Sequence, residues 1–390
     1  MSRHPAAVDV AVVGGGVIGL SVAWEARRRG LSVAVFDRGP LGQGASAVAA
    51  GMLAPVAEAE FGEAGRRALE LGQASMALWR EFAERVREHS GIDPGLRRAG
   101  TLLVARDRDE AEALERELDY RRRLGLAVQR LLPTQARRLE PALAPTLRLA
   151  LELGTDHSVD PRALTAGLAV AAQAEGVTLC PGTEVERVVV EEPGPRATGV
   201  ALPGGERVSS GAVVVAAGAW SESLPGVPAD ARVPVRPVKG QVLRLRDPSG
   251  PGLVERVVRF ERTYLVPRGD GRYVLGATVE ERGFDTSVTA GAVWELLHET
   301  SAIVPGLWEL ELEELCAGLR PATPDNLPVI GRSDLEGLIW ATGHYRNGIL
   351  LAPVTVDIVM GALGAGEPPA VAASCDPVRF STTPTAAGAR

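Results

Sequence analysis

The chain has 390 residues, 45% hydrophobic and 23% charged, with a formal net charge of −7. That composition is soluble-globular and the length suits two or three folding units, while the negative balance, with arginines spread along the chain, argues against nucleic acid as a partner. Three dispersed cysteines and five dispersed histidines give neither a disulfide framework nor metal-ligand spacing, and no apolar run approaches the ~20 residues of a membrane span.

Val8 to Val13 is an apolar, β-branched run that stops at glycine. Gly14, Gly16 and Gly19 then form G-x-G-x-x-G. A helix follows, with Arg27, Arg28 and Arg29 in its last turn and Gly30 beyond it. Cations there complement the helix dipole, and glycine is a favoured stop. Leu31 to Phe36 reads as a second strand ending at the acidic Asp37. Gly14 makes the tight turn, Gly16 admits a pyrophosphate and Gly19 lets helix and strand approach. The helix N-terminus favours phosphate, and Asp37 can accept from ribose hydroxyls. The strand–turn–helix–strand context gives the short fingerprint its force. The first strand begins by residue 8 with no leader before it, so a cytoplasmic location is expected.

A small-residue stretch, GPLGQGASAVAAGMLAP, covers residues 39–55. Small side chains let backbone lie along an extended ligand, which favours a large dinucleotide such as FAD. Residues 64–90 have amphipathic helical spacing, 107–125 form a charged helix and 134–140 a short one, with Leu102 to Ala105 as a strand between them. This block breaks the βαβ rhythm and reads as part of an inserted second domain. Pro161 opens an Ala-rich helix ending at Gly176. Strands are expected at 177–179 and 185–190, a hairpin around Gly204–Gly205, and a buried strand at Val213 that runs into the small-residue turn at Gly218. Strands at 240–245, 254–260, 263–267 and 273–278 form an antiparallel sheet, followed by a helix over 290–302. Leu338 to Thr342 returns to the first domain, a helix spans about 349–363, and the Pro-, Ala- and Thr-rich tail is expected to be disordered at its end.

GASAVAAGMLAP at 44–55, TYLVPR at 263–268, AGLRPATPDNLPVIG at 317–331, TGHYRNGILLAP at 342–353 and DPVRF at 376–380 complete a pattern. Through them the chain resembles the D-amino-acid oxidase-like flavoproteins, and among these the glycine-oxidase branch of thiamine biosynthesis, over nearly its whole length. The resemblance implies non-covalent FAD lying along Gly14, Gly16, Val17, Ile18, Gly19, Asp37, Arg38, Gly44, Ala45, Ser46, Ala50, Gly51 and Met52. Val185 would approach the adenine side and Gly218 the dinucleotide. His344, Tyr345, Arg346, Asn347, Gly348, Ile349 and Leu350 would lie at the flavin ring. Arg320 matches the arginine that grips the substrate carboxylate, Arg346 a second substrate arginine, and Tyr264 a tyrosine beside the substrate. A planar guanidinium offers a carboxylate two parallel hydrogen bonds. Arg262 and Val279 depart from the histidine and methionine that the family can carry near the substrate. Cys316 is expected to be a structural thiol, and the backbone around His344 is expected to matter more than its ring.

The expected fold is α/β: a Rossmann-like FAD-binding domain (residues 1–85, 150–222 and 310–370) with an antiparallel-sheet α+β substrate domain (86–149 and 223–309) and a tail from 371. The activity implied by the resemblance is oxidation of a small amino acid, foremost glycine. Hydride passes to flavin N5, leaving an imine that feeds thiazole synthesis, and oxygen becomes hydrogen peroxide. A D-amino-acid or sarcosine-type dehydrogenase with another acceptor, and a flavin binder without turnover, are the alternatives. The retained Arg320, Tyr264 and Arg346 speak against the last. The sequence leaves a homo-oligomer open.

Overall fold

Ala7–Val13 sits in the middle of a parallel sheet because it is apolar on both faces. Val10 is 1% exposed and Ala11 and Val12 are 0% exposed, the signature of a strand covered on both faces: Val10 and Val12 face the helices, and Ala11 and Val13 face the strands Arg187–Glu191 and Arg196–Ala201. The computed structural model describes residues 4–261 and 263–381. Arg207–Val215 and Val33–Asp37 flank the first strand in parallel, with Leu338–Thr342 and Thr178–Pro181 outside them. Val329–Arg332 closes one edge antiparallel, and Arg196–Ala201 and Arg187–Glu191 fold antiparallel off Arg207–Val215. The helices Val17–Arg28, Gly62–Ser90, Pro161–Ala174 and Ala352–Ala362 pack together over one shared core.

The second sheet has the order Glu311–Ala322, Arg236–Arg246, Arg272–Gly276, Thr263–Pro267, Val257–Phe260, Thr101–Ala105, Leu149–Leu153 and Gln129–Leu131. Its pairings are antiparallel except for Val257–Phe260 against Thr101–Ala105, which is parallel. Two stretches differ from the expected domain bounds. Glu311–Ala322 runs the length of Arg236–Arg246 and belongs to this sheet rather than to the dinucleotide side, and so does Leu149–Leu153. The chain thus returns to the first sheet only at Val329. The second arm of the expected hairpin at Gly204–Gly205 and the expected strand at Val213 are one strand, Arg207–Val215, and the turn at Gly218 is a 3-10 turn, Gly218–Trp220.

The tail from 371 is docked as far as Phe380. Cys375 is fully buried, and Arg379 donates to Asp325 Oδ2 at 2.9 Å and to the carbonyls of Leu327 and Pro328 at 2.8 and 2.9 Å. Residues 382–390, where disorder was expected, lie outside the described residues.

Candidate active site

The carboxyl ends of four adjacent parallel strands open onto one long cleft of about 470 Å³. Val13, Phe36, the Ala216–Trp220 turn and Thr342 form its floor, which is where an open parallel sheet holds its ligand. The second sheet closes the far end through Gly240, Val242, Tyr264 and Gly318 to Pro321.

At the sheet end, Gly14 has φ +109°, and a Cβ there would stand 2.3 Å from the Ala216 carbonyl oxygen. No other residue fits both demands. A Cβ on Gly19 would meet the Gly14 carbonyl oxygen at 1.9 Å, so Gly19 sets the closeness of helix and strand from behind the cleft. The helix begins at Val17, whose N–H donates to Ser46 Oγ at 3.0 Å. Asp37 accepts the Gly15 and Gly39 N–H groups at 2.7 and 2.8 Å, one on each carboxylate oxygen. It therefore braces the glycine turn as well as facing the cleft. The Arg38 guanidinium lies 4.4 Å from the Trp220 ring centroid. A helix N-terminus in a glycine turn, an acid at the end of the second strand and a wall of Gly, Ala and Ser over 44–51 fit the pyrophosphate and ribose of a dinucleotide.

At the other end, Arg320 lies across the sheet. Its Nη1 donates to the Lys239 and Thr278 carbonyls at 3.2 and 3.0 Å. Among the described residues it has no ion-pair partner, so a half-buried positive charge opens onto the cleft. Tyr264 stands beside it, opposite Gly276 in the neighbouring strand. Burial pushes the phenol above its ordinary pKa, and the Arg320 guanidinium only partly opposes that.

Arg346 is placed differently: it is ion-paired to Glu60. Burial works against its charge, but Glu58 and Glu60 outweigh burial and raise its pKa. Glu58 lines the cleft and pairs with Arg259 at 3.5 Å. Tyr345 turns the chain with φ 46°, and its N–H donates to the Pro321 carbonyl at 2.8 Å, tying this loop to the strand that carries Arg320. The ring of His344 is 3% exposed and bonds Thr355 Oγ1 at 3.0 Å; burial holds the imidazole down at about 3. It is a neutral brace on the helix Ala352–Ala362.

The segment bearing Glu58 is gripped from both sides. Fully buried Asp156 accepts the Val56 and Ala57 N–H groups at 3.2 and 2.8 Å, while Arg121 donates to the carbonyls of the same two residues at 2.9 Å each. Burial lifts the Asp156 carboxyl to about 7 against the lowering effect of those two amides.

Most of the residues singled out in the sequence thus line one cleft: Gly14, Gly16, Val17, Ile18, Asp37, Arg38, Gly44 to Ser46, Ala50 to Met52, Val185, Gly218, Tyr264, Arg320 and His344 to Ile349. Gly19 and Leu350 stand behind its wall; the Leu350 carbonyl accepts from Ser75 Oγ and Trp79 Nε1 at 2.6 and 2.7 Å. Arg262 lies outside the described residues. Val279 is 43% exposed and is not part of the lining. Cys316 also stands off the lining, its thiol near the Val242 carbonyl at 3.7 Å. Sequence reading missed Glu58, Trp220 and Gly240. A glycine inside a strand pattern, as in VKGQV, is a sign of close approach that could have found the last.

The chain matches the family model for FAD dependent oxidoreductases over residues 9–360. It is 39% identical to a glycine oxidase of Geobacillus kaustophilus (strain HTA426), across 89% of this chain and 90% of that one. It is 34% identical to the bifunctional protein ThiO/ThiG of Trichormus variabilis over 90% of this chain, spanning about half (52%) of that longer protein. The crystal structure of glycine oxidase from Geobacillus kaustophilus superposes with a TM-score of 0.88 at 36% identity, covering 96% of this chain and 99% of that one. With a dinucleotide cleft at the switch of its parallel sheet and this likeness over nearly its full length, the chain belongs to the D-amino-acid oxidase-like family of FAD-dependent oxidoreductases.

Proposed function

We propose that this FAD-dependent enzyme is an amino-acid oxidase whose substrate is glycine. It converts glycine to its imine with oxygen as acceptor and hydrogen peroxide as product, and the imine supplies thiazole synthesis for thiamine. The observation that carries this reading is the uncompensated charge of Arg320 at the end of the cleft closed by the second sheet. A half-buried guanidinium without a counter-ion is a site for a carboxylate.

The glycine turn, Ser46, Asp37 and the 44–52 wall would hold the FAD, and the His344–Ile349 loop would lie at its ring system. Bound FAD supplies a two-electron acceptor. The remaining work falls to the chain. Arg320 fixes the carboxylate and so orients the α-carbon. Tyr264 keeps its proton at neutral pH, so it acts as a hydrogen-bond donor rather than a base. His344 is neutral and bonded to Thr355, so it is not a base for the substrate ammonium. Both facts favour a substrate that arrives with its amine already neutral.

The test is anaerobic mixing of the purified, FAD-loaded protein with glycine, sarcosine and D-alanine separately. Glycine should bleach the visible flavin band, and admission of air should restore it with release of one peroxide per flavin. A band untouched by glycine removes the glycine assignment. Bleaching that air reverses only slowly and without peroxide points to a dehydrogenase with another acceptor.

A further inference from the structure

Two arginines line the substrate end of the cleft, and their states differ. Arg320 has no ion-pair partner among the described residues, whereas Arg346 is engaged by Glu60. Nearby, Arg259 and Glu58 are paired. Of the guanidiniums of Arg320, Arg346 and Arg259, the last two each have a carboxylate partner and Arg320 has none among the described residues. That balance suits a ligand carrying a single negative charge, such as an amino acid with a neutral amine. A ligand with two carboxylates would need Arg346 as well, and Glu60 already occupies it.

Glu60 is well suited to act as a competing carboxylate. Its side chain is 60% exposed, whereas that of Arg346 is 28% exposed, so the pair sits at the rim of the cleft. With Glu60 mostly in solvent, its replacement leaves no buried charge on the Glu60 side and does not disturb the fold, while Arg346, the more buried partner, feels the carboxylate strongly enough for its pKa to be raised against burial. Glu60 is placed by a firm anchor, because Asp156 and Arg121 hold Val56 and Ala57 just upstream, and the Glu60 carbonyl accepts from Tyr120 Oη at 2.9 Å. Its carboxylate is therefore presented to Arg346 by a braced segment rather than by a free loop.

We propose that Glu60 is a specificity-determining residue: by holding Arg346 it restricts the site to amines bearing one carboxylate and excludes those bearing two. The proposal rests on the reading of Arg320 as the carboxylate grip. Glu60 does not touch the reacting atoms; it acts through Arg346.

Two matched pairs of small molecules isolate the second carboxylate. Iminodiacetate differs from sarcosine in carrying a carboxylate in place of a hydrogen on its N-methyl group, and both can be compared as substrates. Glutarate and butyrate are their carbon isosteres; they have no amine to oxidise, so calorimetric titration of the FAD-loaded protein gives affinities independent of turnover. In Glu60→Gln the affinity ratio of glutarate to butyrate should rise roughly tenfold, as removal of a like charge beside an incoming one requires. The KM ratio of sarcosine to iminodiacetate should rise in step, with the shift in KM rather than kcat. Glu60→Asp, which keeps the charge, should retain the wild-type ratios. Ratios in Glu60→Gln within twofold of wild type, a Gln variant that takes up neither acid, or an Asp variant that behaves like Gln would each overturn the proposal. Wild-type protein that neither oxidises nor binds any of these amines defeats the amino-acid reading instead, and the two failures are thereby separated.

Discussion

The guanidinium of Arg320 lies flat over the Cα of Gly240: a Cβ built on Gly240 would stand 2.3 Å from Arg320 Nη2 and 2.5 Å from Cζ. The neighbouring strands repeat the device, since a Cβ on Gly276 would stand 2.7 Å from the Tyr264 hydroxyl. Arg320 and Tyr264 are thus each seated on a strand residue that has no side chain. Gly240 does not have positive φ, so Gly240→Ala brings no backbone strain and acts by displacing Arg320. A misplacement of ~1 Å at a reacting centre costs on the order of a hundredfold. Gly240→Ala should therefore raise the KM for glycine by roughly tenfold to a hundredfold, with FAD content and thermal stability close to wild type. Steady-state kinetics and flavin absorbance on the same preparation check both halves.

Direct removal of the same group should do more. Truncating one member of a hydrogen-bonded, desolvated charge pair costs ~2–5 kcal/mol. At ~1.4 kcal/mol per tenfold, Arg320→Ala should weaken kcat/KM for glycine by roughly thirty- to several-thousand-fold. Arg320→Lys should recover only part, because an ammonium cannot present the planar fork. FAD should remain bound in both variants, since the glycine turn and Ser46 lie at the other end of the cleft. An Arg320→Ala protein that oxidises glycine like wild type removes the carboxylate grip and the single-charge balance argued around it.

Much of this site was legible because its parts are local in sequence. The glycine turn with Asp37, the small-residue wall and the loop 344–349 each carry their chemistry within a few residues, and each lines the cleft. What stayed hidden depends on distance. Glu58 looks like any other acid in a run of Glu and Ala, and the hold of Asp156, 99 residues from Ala57, together with that of Arg121, turns that segment into a wall of the site. The strand Glu311–Ala322 was missed for a different reason: its outer half, ELEEL, is rich in good helix formers and mostly exposed at a sheet edge. There, pairing with Arg236–Arg246 overrides local propensity.

The place of Cys316 bears on how the flavin is held. The thiol stands off the cleft lining, and burial raises its pKa, so the reactive thiolate is disfavoured. FAD should accordingly leave the protein on acid denaturation and appear wholly in the supernatant. Yellow colour retained in the washed precipitate would contradict this.

Neutral His344 and protonated Tyr264 do not take the ammonium proton, and Glu58, the carboxylate on the lining there, is paired with Arg259, so proton removal falls to solvent. At subsaturating glycine, anaerobic flavin reduction should accelerate as pH rises from neutrality toward the pKa of the substrate amine. Stopped-flow measurement at several pH values settles the point; a flat or falling profile requires a protein base and rules out pre-formed neutral amine as the reacting species.

The burial of His344 also makes a statement about stability. Its folded-state pKa is about 3 against an ordinary value of 6.5, so between these two values the unfolded chain binds the extra proton and the folded chain does not. Stability rises with pH wherever the unfolded state holds more protons. The contribution of His344 is therefore complete above 6.5 and is lost on acidification at up to ~1.4 kcal/mol per pH unit. Asp156 works in the opposite direction. Its folded-state pKa is about 7 against an ordinary 3.8, so the folded chain holds the proton across that window, and stability falls as pH rises through it. Between pH 5 and 6.5 the two slopes oppose each other, and the wild-type profile alone does not separate them. Comparison with His344→Gln does, because Asp156 contributes equally to both proteins. The amide can still bond Thr355 but takes up no proton. Against wild type, His344→Gln should be destabilised near pH 8 by repacking, and the difference should shrink steadily from pH 6.5 to 5. Urea unfolding at four pH values in that window measures it, and a constant difference would show that His344 is already protonated in the folded protein or shielded from the change.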